Sequence, residues 1–327
     1  MQAQSESNKN KRKRANVASD ESLVYAAMSD VGLERSVNED RCSTFATQVG
    51  ECFLVLDGMG GSEGGEFAAQ ISADTIQRYL TVEHQEDIAE RIRDACEEAN
   101  RTIMLRRQSQ RFTEMGTTVV GVLIEDSAVA VAHVGDSRAY LVQHDGIQQL
   151  TVDHTYVQQL VDRNEITRED ALPHPQSHIL TQCLGSSPDI KVDVERYWIW
   201  PLKKSELSDF IVLCSDGLYS LVGDEEIQRI VTVLPPPAAC EELIQLANSR
   251  GGFDNVTVSI IPLRGHLRAE ESPTWEKELS DRARGRRVND WWKRSFAYHI
   301  VIASLFAVGA SVAALGLFFY LKVLNGF

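Results

Sequence analysis

Residues 52–65 constrain this chain more than any other stretch: Cys-Phe-Leu-Val-Leu-Asp-Gly-Met-Gly-Gly-Ser-Glu-Gly-Gly. The apolar run 53–56 has the length and character of a buried strand. It ends on Asp57, and five glycines follow within eight residues: Gly58, Gly60, Gly61, Gly64 and Gly65. Glycine permits positive φ and close approach of backbone to a ligand. A carboxylate at a strand end, beside bare backbone, suits a hard cation. The plainer alternative is a turn with a solvated acid, because Asp-Gly alone is mainly a turn signal. Asp145-Gly146 supplies the contrast. It lies between two strand-like runs, 139–142 and 147–150, and reads as a hairpin turn. Asp57-Gly58 leads instead into more glycine and a helix, so the hairpin explanation fails there.

The chain has 327 residues, 43% of them hydrophobic, enough for one large domain or two small ones with a sizeable core. Its formal net charge of -14 argues against a nucleic-acid binder, which needs a basic face. Cations concentrate in two clusters. Lys9, Lys11, Arg12, Lys13 and Arg14 form one; Arg282, Arg284, Arg286, Arg287, Lys293 and Arg294 form the other. The six cysteines are widely spaced with no Cys-x-x-Cys, which disfavours a zinc knuckle or redox pair and suits a reducing compartment. Cys52 and Cys214 sit beside apolar runs and read as core thiols. The first residues carry no apolar segment of the kind a secretory signal needs.

Residues 1–20 read as a disordered basic tail. Residues 22–27 suit a strand. The segment 29–40 is too polar for core and carries Arg35, whose planar fork suits phosphate oxygens. Helices are expected at 66–80, with Phe67, Ile71, Thr75 and Tyr79 at helical spacing and Ala68 and Ile76 beside them, and at 86–107. Strands are expected at 119–124, 129–134, 210–214 and 256–261. Asp153-His154-Thr155 caps a short helix at 156–163. Residues 164–190 form an irregular insertion, and loops of that length are often functional. His174 and His178 within it read as solvated side chains rather than metal ligands. Helices at 224–233 and 238–249 are separated by Pro235-Pro236-Pro237, since proline is tolerated at a helix start but not inside.

From 262 to 294 the chain is charged and irregular, a tether. Residues 300–321 carry no charge and are long enough for a hydrocarbon core of ~30 Å, which needs ~20 helical residues. Trp291 and Trp292 stand where an interfacial belt would lie, and the upstream Lys/Arg cluster places residues before 295 in the cytoplasm. The expectation is a single-pass protein of the cell membrane, with everything before the span on the cytoplasmic side.

Three expected strands end on an aspartate: Asp57, Asp136 and Asp216. A fourth begins just after Asp254. If that last strand runs opposite to the others, all four acids meet at one sheet edge, and the Gly58 carbonyl adds another oxygen. An all-oxygen cluster selects Mg2+ or Mn2+ over zinc. Two such ions activate a water and clamp an in-line displacement at phosphorus.

The residues at this point resemble the protein phosphatase 2C family of metal-dependent Ser/Thr phosphatases, in its bacterial form. The resemblance covers residues 22–263. It rests on separated motifs in order: Gly32-Leu33-Glu34-Arg35 with Asn38-Glu39-Asp40; Leu56-Asp57-Gly58-Met59-Gly60-Gly61; Met115-Gly116-Thr117-Thr118; Val134-Gly135-Asp136-Ser137-Arg138; Asp153-His154-Thr155; Ser215-Asp216-Gly217-Leu218; and Asp254-Asn255-Val256-Thr257. It implies an α+β fold, a four-layer α-β-β-α sandwich of two antiparallel sheets flanked by helices. To this the uncharged segment adds one C-terminal transmembrane helix. The domains expected are a tail (1–20), a phosphatase domain (21–265) with a mobile flap (155–190), a juxtamembrane linker (266–298), the span (299–321) and a short tail (322–327).

By position, the resemblance implies that Asp57 bridges two Mn2+ or Mg2+ ions. The Gly58 carbonyl would bind one ion, and Asp216 and Asp254 the other. Glu39 and Asp40 would act through metal-bound waters, Asp136 would contribute to a third, weaker ion, and Arg35 would bind phosphate. The implied substrates are phosphorylated proteins, namely Ser/Thr kinases or their targets. One position departs: relatives, especially eukaryotic ones, often carry His two residues after the bridging Asp, where this chain has Met59, which donates no proton. The competing reading is a non-catalytic phosphopeptide-binding domain on the same fold. It fits less well because Asp57, Asp216 and Asp254 are all present. No Cys-x5-Arg or Gly-x-Ser-x-Gly element supports another hydrolase chemistry.

Overall fold

The run at 53–56 is continuously apolar because both faces of its strand are covered. Phe53 and Val55 enter one core, while Cys52, Leu54 and Leu56 enter another. The computed structural model describes residues 25–48, 50–60, 64–82, 86–108, 115–203 and 207–269. These belong to one compact unit, Met1–Glu271; a second unit, Ser272–Phe327, lies outside the described residues.

In chain order the elements begin β1 Ala26–Asp30, β2 Arg41–Ala46, β3 Gly50–Leu56, β4 Gly58–Met59, α1 Gly64–Leu80 and α2 Ile88–Arg107. Next come β5 Gly116–Thr117, β6 Val119–Glu125, β7 Ala128–Val134, β8 Arg138–Gln143 and β9 Gly146–Gln149. The short helices α3 Tyr156–Asp162 and α4 Arg168–Ala171 precede β10 Asp193–Pro201 and β11 Phe210–Cys214. The described chain closes with α5 Asp216–Tyr219, α6 Asp224–Val233, α7 Pro236–Ser249, β12 Val256–Pro262 and β13 Gly265–Arg268.

Two antiparallel sheets result, ordered β1-β12-β11-β8-β9 and β13-β10-β7-β6-β3-β2, with a small β4-β5 ladder beside them. Three cores separate four layers. Val120, Val122, Val129 and Val131 face Ile211, Leu213 and Ile261 between the sheets. The other face of the six-stranded sheet packs on Ala68, Ala69, Ile76, Ile92, Ala95 and Ile103 of α1 and α2. The outer face of the five-stranded sheet packs on Leu218, Ile227, Leu243 and Ala247. This period-two alternation, with a different partner on each face, makes each central strand read as unbroken hydrophobe.

Several expectations shift. The first strand starts four residues later than expected, at Ala26. The second long helix starts at Ile88 because Asp87 is its N-cap, its side chain accepting from Ala89 N at 2.9 Å. Helix α1 starts two residues early, inside the glycines, and its inner face keeps Ala68, Thr75 and Ile76 of the expected stripe but is rotated from the rest. Ala68, Ala69, Ser72, Ala73 and Ile76 are buried, whereas Phe67 is exposed. Small residues face inward because α1 packs closely on α2 and the sheet. Helix α7 takes in two of the three prolines, with Pro236 and Pro237 in its first turn, where a missing N–H leaves nothing unpaired. Strands β2 and β10 fall where none was expected, and β13 lies at the start of the expected tether, pairing Gly265–Arg268 with Pro201–Trp198.

All six cysteines are free thiols; Cys52 and Cys214 are fully buried. No helix among the described residues is long and apolar enough to cross a membrane. The expected tail (1–20), span (299–321) and end (322–327) lie outside those residues, as does the linker beyond 269.

Candidate active site

Asp57 and Asp136 follow β3 and β7, which run the same way because both are antiparallel to β6. Asp216 follows β11 and Asp254 precedes β12, its antiparallel neighbour. The four acids therefore come from the same end of two sheets, not from one sheet edge as expected. Two facing layers surround a point more completely than one edge does.

The structure brings the acids into electrostatic contact. Asp40 and Asp136 are buried, Asp57 and Asp216 half-buried, and all four hold their protons above the usual aspartate range. Burial is the main cause in each. Asp40 is pushed up to about 7, with Asp216 and Asp254 adding to the effect of burial and bonds from Ser215 and Thr257 opposing it. Asp216 rises to about 6 through burial and then Asp254, eased by hydrogen bonds to Asp57 and Gly217. Asp57 is raised by burial and by Asp40, Asp216, Asp136 and Asp254. Buried carboxylates that repel one another favour protonation or cations. Two buried oxygens, Glu39 Oε1 and Asp216 Oδ1, have no hydrogen-bond partner. Buried polar atoms are rarely left so, and such a pair beside the acids fits a cation site. Gly58 completes it. A Cβ there would lie 2.3 Å from Gly65 O and 2.6 Å from Glu39 O, so only glycine lets these backbones meet.

Residues not assigned a role from sequence hold the acids in place. Thr118 Oγ1 accepts from Asp57 N at 3.0 Å. Asp57 O accepts from Thr118 N and from Thr117 Oγ1, each at 2.9 Å. Thr118 and Ser137 hydroxyls share a 2.7 Å bond, tying Asp57 to the Asp136 turn. Ser215 Oγ donates to Asp40 Oδ2 at 2.7 Å. Asn255 clamps the 31–39 loop: Nδ2 donates to Val31 O (2.9 Å) and Val37 O (3.0 Å), while Oδ1 accepts from Glu39 N (2.8 Å). The signal for these was their presence inside motifs; their work is to carry backbone hydrogen bonds across the sandwich.

Arg35 Nη2 donates to Asp254 Oδ2 at 2.8 Å, with both side chains part-exposed. Asp254 Oδ1 accepts from Asn255 N at 2.8 Å. Asp254 is thus engaged by Arg35 rather than turned wholly to the other acids. Arg138 forks onto Asp153, with bonds of 2.6 to 3.1 Å, and stacks 3.6 Å over the Tyr219 ring. A cavity of about 640 Å³ opens from Asp136 and Asp216 along Arg138, Asp153, Arg168 and His178. The segment 155–190 forms one wall of it; α3 is the short helix expected there, capped by Thr155, and α4 adds one helical turn to the stretch expected to be irregular.

His174 does not join the acids; His178 lines the cavity wall. Among the described residues, the group with three ligand atoms within 4.8 Å of one another is His133, His154 and Asp193. Its nitrogens are mostly occupied. His133 Nε2 meets Val152 O at 2.8 Å, so it donates there. His154 Nδ1 accepts from Gly135 N, leaving Nε2–H to donate to Asp193 Oδ2 at 3.2 Å. A cation on His154 would need a second lone pair that a neutral imidazole lacks. This trio braces the Asp136 turn instead.

A buried acid cluster at one end of an α-β-β-α sandwich, beside an arginine and a groove, defines a metal-dependent hydrolase of phosphate esters. The family model "Protein phosphatase 2C" matches residues 34–248. A "Putative protein phosphatase 2C-type" of Streptococcus pyogenes is 35% identical over 73% of this chain and 97% of its own length. The crystal structure of the Mycobacterium tuberculosis serine/threonine phosphatase PstP/Ppp is similar at TM-score 0.65 and 33% identity, covering 75% of this chain and 99% of that one. A second PstP structure, of the catalytic domain in complex with two manganese ions, is similar at TM-score 0.63 and 32% identity, covering 73% and 97%. The chain belongs to the protein phosphatase 2C family. It is a Ser/Thr protein phosphatase of that type.

Proposed function

We propose that this chain is a membrane-tethered phosphatase that removes phosphate from phosphoserine and phosphothreonine in proteins at the cytoplasmic face, opposing a Ser/Thr kinase. The observation that carries the catalytic part is the set of crowded, mutually repelling acids with buried, partnerless oxygens at Glu39 and Asp216. These residues fit two hard cations, Mn2+ or Mg2+. Asp57, the Gly58 carbonyl, Asp216 and Asp254 would hold the pair, Glu39 and Asp40 would hold ordered water beside it, and Asp136 would serve a weaker third ion. When bound, such ions supply a lowered water pKa and charge neutralisation at phosphorus.

The chain's own groups do the rest. Arg35 offers a part-exposed guanidinium fork at the rim, suited to non-bridging phosphate oxygens. Thr117 and Thr118 hold the Asp57 backbone in place. Met59 supplies no proton to the leaving oxygen. The uncharged segment 299–321 carries the tether, outside the described residues.

Phosphate release from a phosphothreonine peptide should require added Mn2+ or Mg2+ and stop with chelator; metal-independent turnover would refute the mechanism. The full chain should sediment with membranes, and a chain ending at residue 294 should not. A soluble full chain would remove the tether.

A further inference from the structure

Two large apolar side chains stand open at the rim of the site. Leu33 is 67% exposed and Phe253 55%. Scattered exposed hydrophobes are ordinary, but these two flank one turn. Leu33 N and Glu34 N both donate to Gly252 O, at 2.8 and 3.3 Å. A Cβ on Gly252 would come within 3.0 Å of Leu33 Cγ. A Cβ on Gly251 would come within 2.3 Å of Phe253 Cζ, so the ring lies against the Gly251 backbone. Both glycines have positive φ, 131° and 54°, as does Gly32 at 76°.

The pair is held, not loose. Gly32 N donates to Asp30 Oδ1 at 3.0 Å, and Asn248 Nδ2 donates to the same oxygen at 3.0 Å. Asn255 fixes Val31 from below. Both side chains are ordered against the glycine backbone yet keep more than half of their surface exposed.

Their place along the chain gives the reason. Leu33 is two residues from Arg35, and Phe253 is next to Asp254, the pair joined at 2.8 Å. Successive Cα atoms are about 3.8 Å apart, so the Leu33 Cα lies within about 8 Å of the Arg35 Cα and the Phe253 Cα about 4 Å from the Asp254 Cα. The residues next to a phosphoresidue in an extended substrate lie at the same range.

We propose that Leu33 and Phe253 form a specificity platform for an apolar side chain one or two positions from the phosphoserine or phosphothreonine. This rests on the phosphatase reading. The occupant is a substrate side chain because the two residues flank the Arg35–Asp254 pair along the chain, and an apolar contact there adds binding that a charged neighbour would lose.

The test uses the full chain with Mn2+ and two phosphothreonine peptides that differ only in Leu or Ser on both sides of the phosphoresidue. The expected kcat/KM ratio favours Leu by about tenfold, mostly through KM, the range of a single apolar contact. Phe253→Ser and, separately, Leu33→Ser should each pull the ratio toward one. Because the ratio is taken within each variant, a partly folded preparation does not mask the result. A wild-type ratio near one overturns the proposal, as does a preference that survives both substitutions, which would put the selecting surface elsewhere. Turnover without preference leaves the phosphatase reading standing. No phosphate released from either peptide sinks both.

Discussion

The same dipeptide, Asp-Gly, occurs at 57–58 and at 145–146, and the two could hardly differ more. Asp145 is exposed at the tip of the β8-β9 hairpin, where Gln143 pairs with Gly146. An added Cβ on Gly146 meets nothing within 4 Å. Asp57 is sunk among four other acids, and a Cβ on Gly58 would strike Gly65 backbone. Residue identity is shared; what differs is whether backbone from distant segments closes around it. A turn residue is chosen by its own φ and ψ, whereas a site residue is chosen by its neighbours.

The sharpest way to break this contrast is by substituting the two acids. Asp57→Asn should lower kcat by on the order of 10³, because it removes charge where the reaction needs it. Asp145→Asn should leave kcat within about twofold and stability within about 0.5 kcal/mol. Equal effects in steady-state assays would erase the distinction.

A second difference is in pH response. Asp40 and Asp216 bind protons more tightly folded than unfolded, at about 7 and about 6 against 3.8. Their contribution to the metal-free fold is full below about pH 4 and is lost as pH rises through about 6 and then about 7. Thermal melts in chelator should therefore fall from pH 5 to pH 8, an effect on the order of a few kcal/mol. Added Mn2+ should stabilise more at pH 8 than at pH 5. A chelated protein more stable at pH 8 would contradict the buried-acid description.

The glycines give the smallest effect and the cleanest pairing. Gly58→Ala should cost about 1–3 kcal/mol in urea unfolding, because backbone must move to admit the methyl. Gly146→Ala should stay within about 0.5 kcal/mol. A neutral Gly58→Ala would mean the three backbones are looser than drawn.

Much of the fold could be read from local pattern. The runs at 53–56, 210–214 and 256–261 became strands of two sheets because both faces needed covering, and β11 matches its expected bounds. Strands β2 and β10 were invisible for the opposite reason. Only Phe45 is buried in β2, and no residue of β10 is fully buried, so neither shows hydrophobic alternation; each is held by the ladder of its neighbour. Helix α1 was visible as a helix, but its inner face was only partly legible: Ala68, Thr75 and Ile76 are buried as expected, while Ala69, Ser72 and Ala73 carry little hydrophobic signal despite fitting a close helix contact.

The candidate site divides the same way. Asp57, Asp136, Asp216 and Asp254 each stood out beside an apolar run. That they share one end of the molecule depends on β3 and β7 running together in one sheet while β11 and β12 oppose each other in the next. Thr117, Thr118, Ser137 and Asn255 carried no chemical signal of their own; their hydrogen bonds span up to 224 residues of sequence.

Composition, periodicity and residue type by themselves determined the central strands, the long helices and which acids are unusual, since those depend on interactions within a few residues. Only the tertiary structure decided which acids meet, which glycine has no room for a methyl and which arginine faces which carboxylate. Those are properties of pairs far apart in the chain, and no local pattern encodes the distance between them.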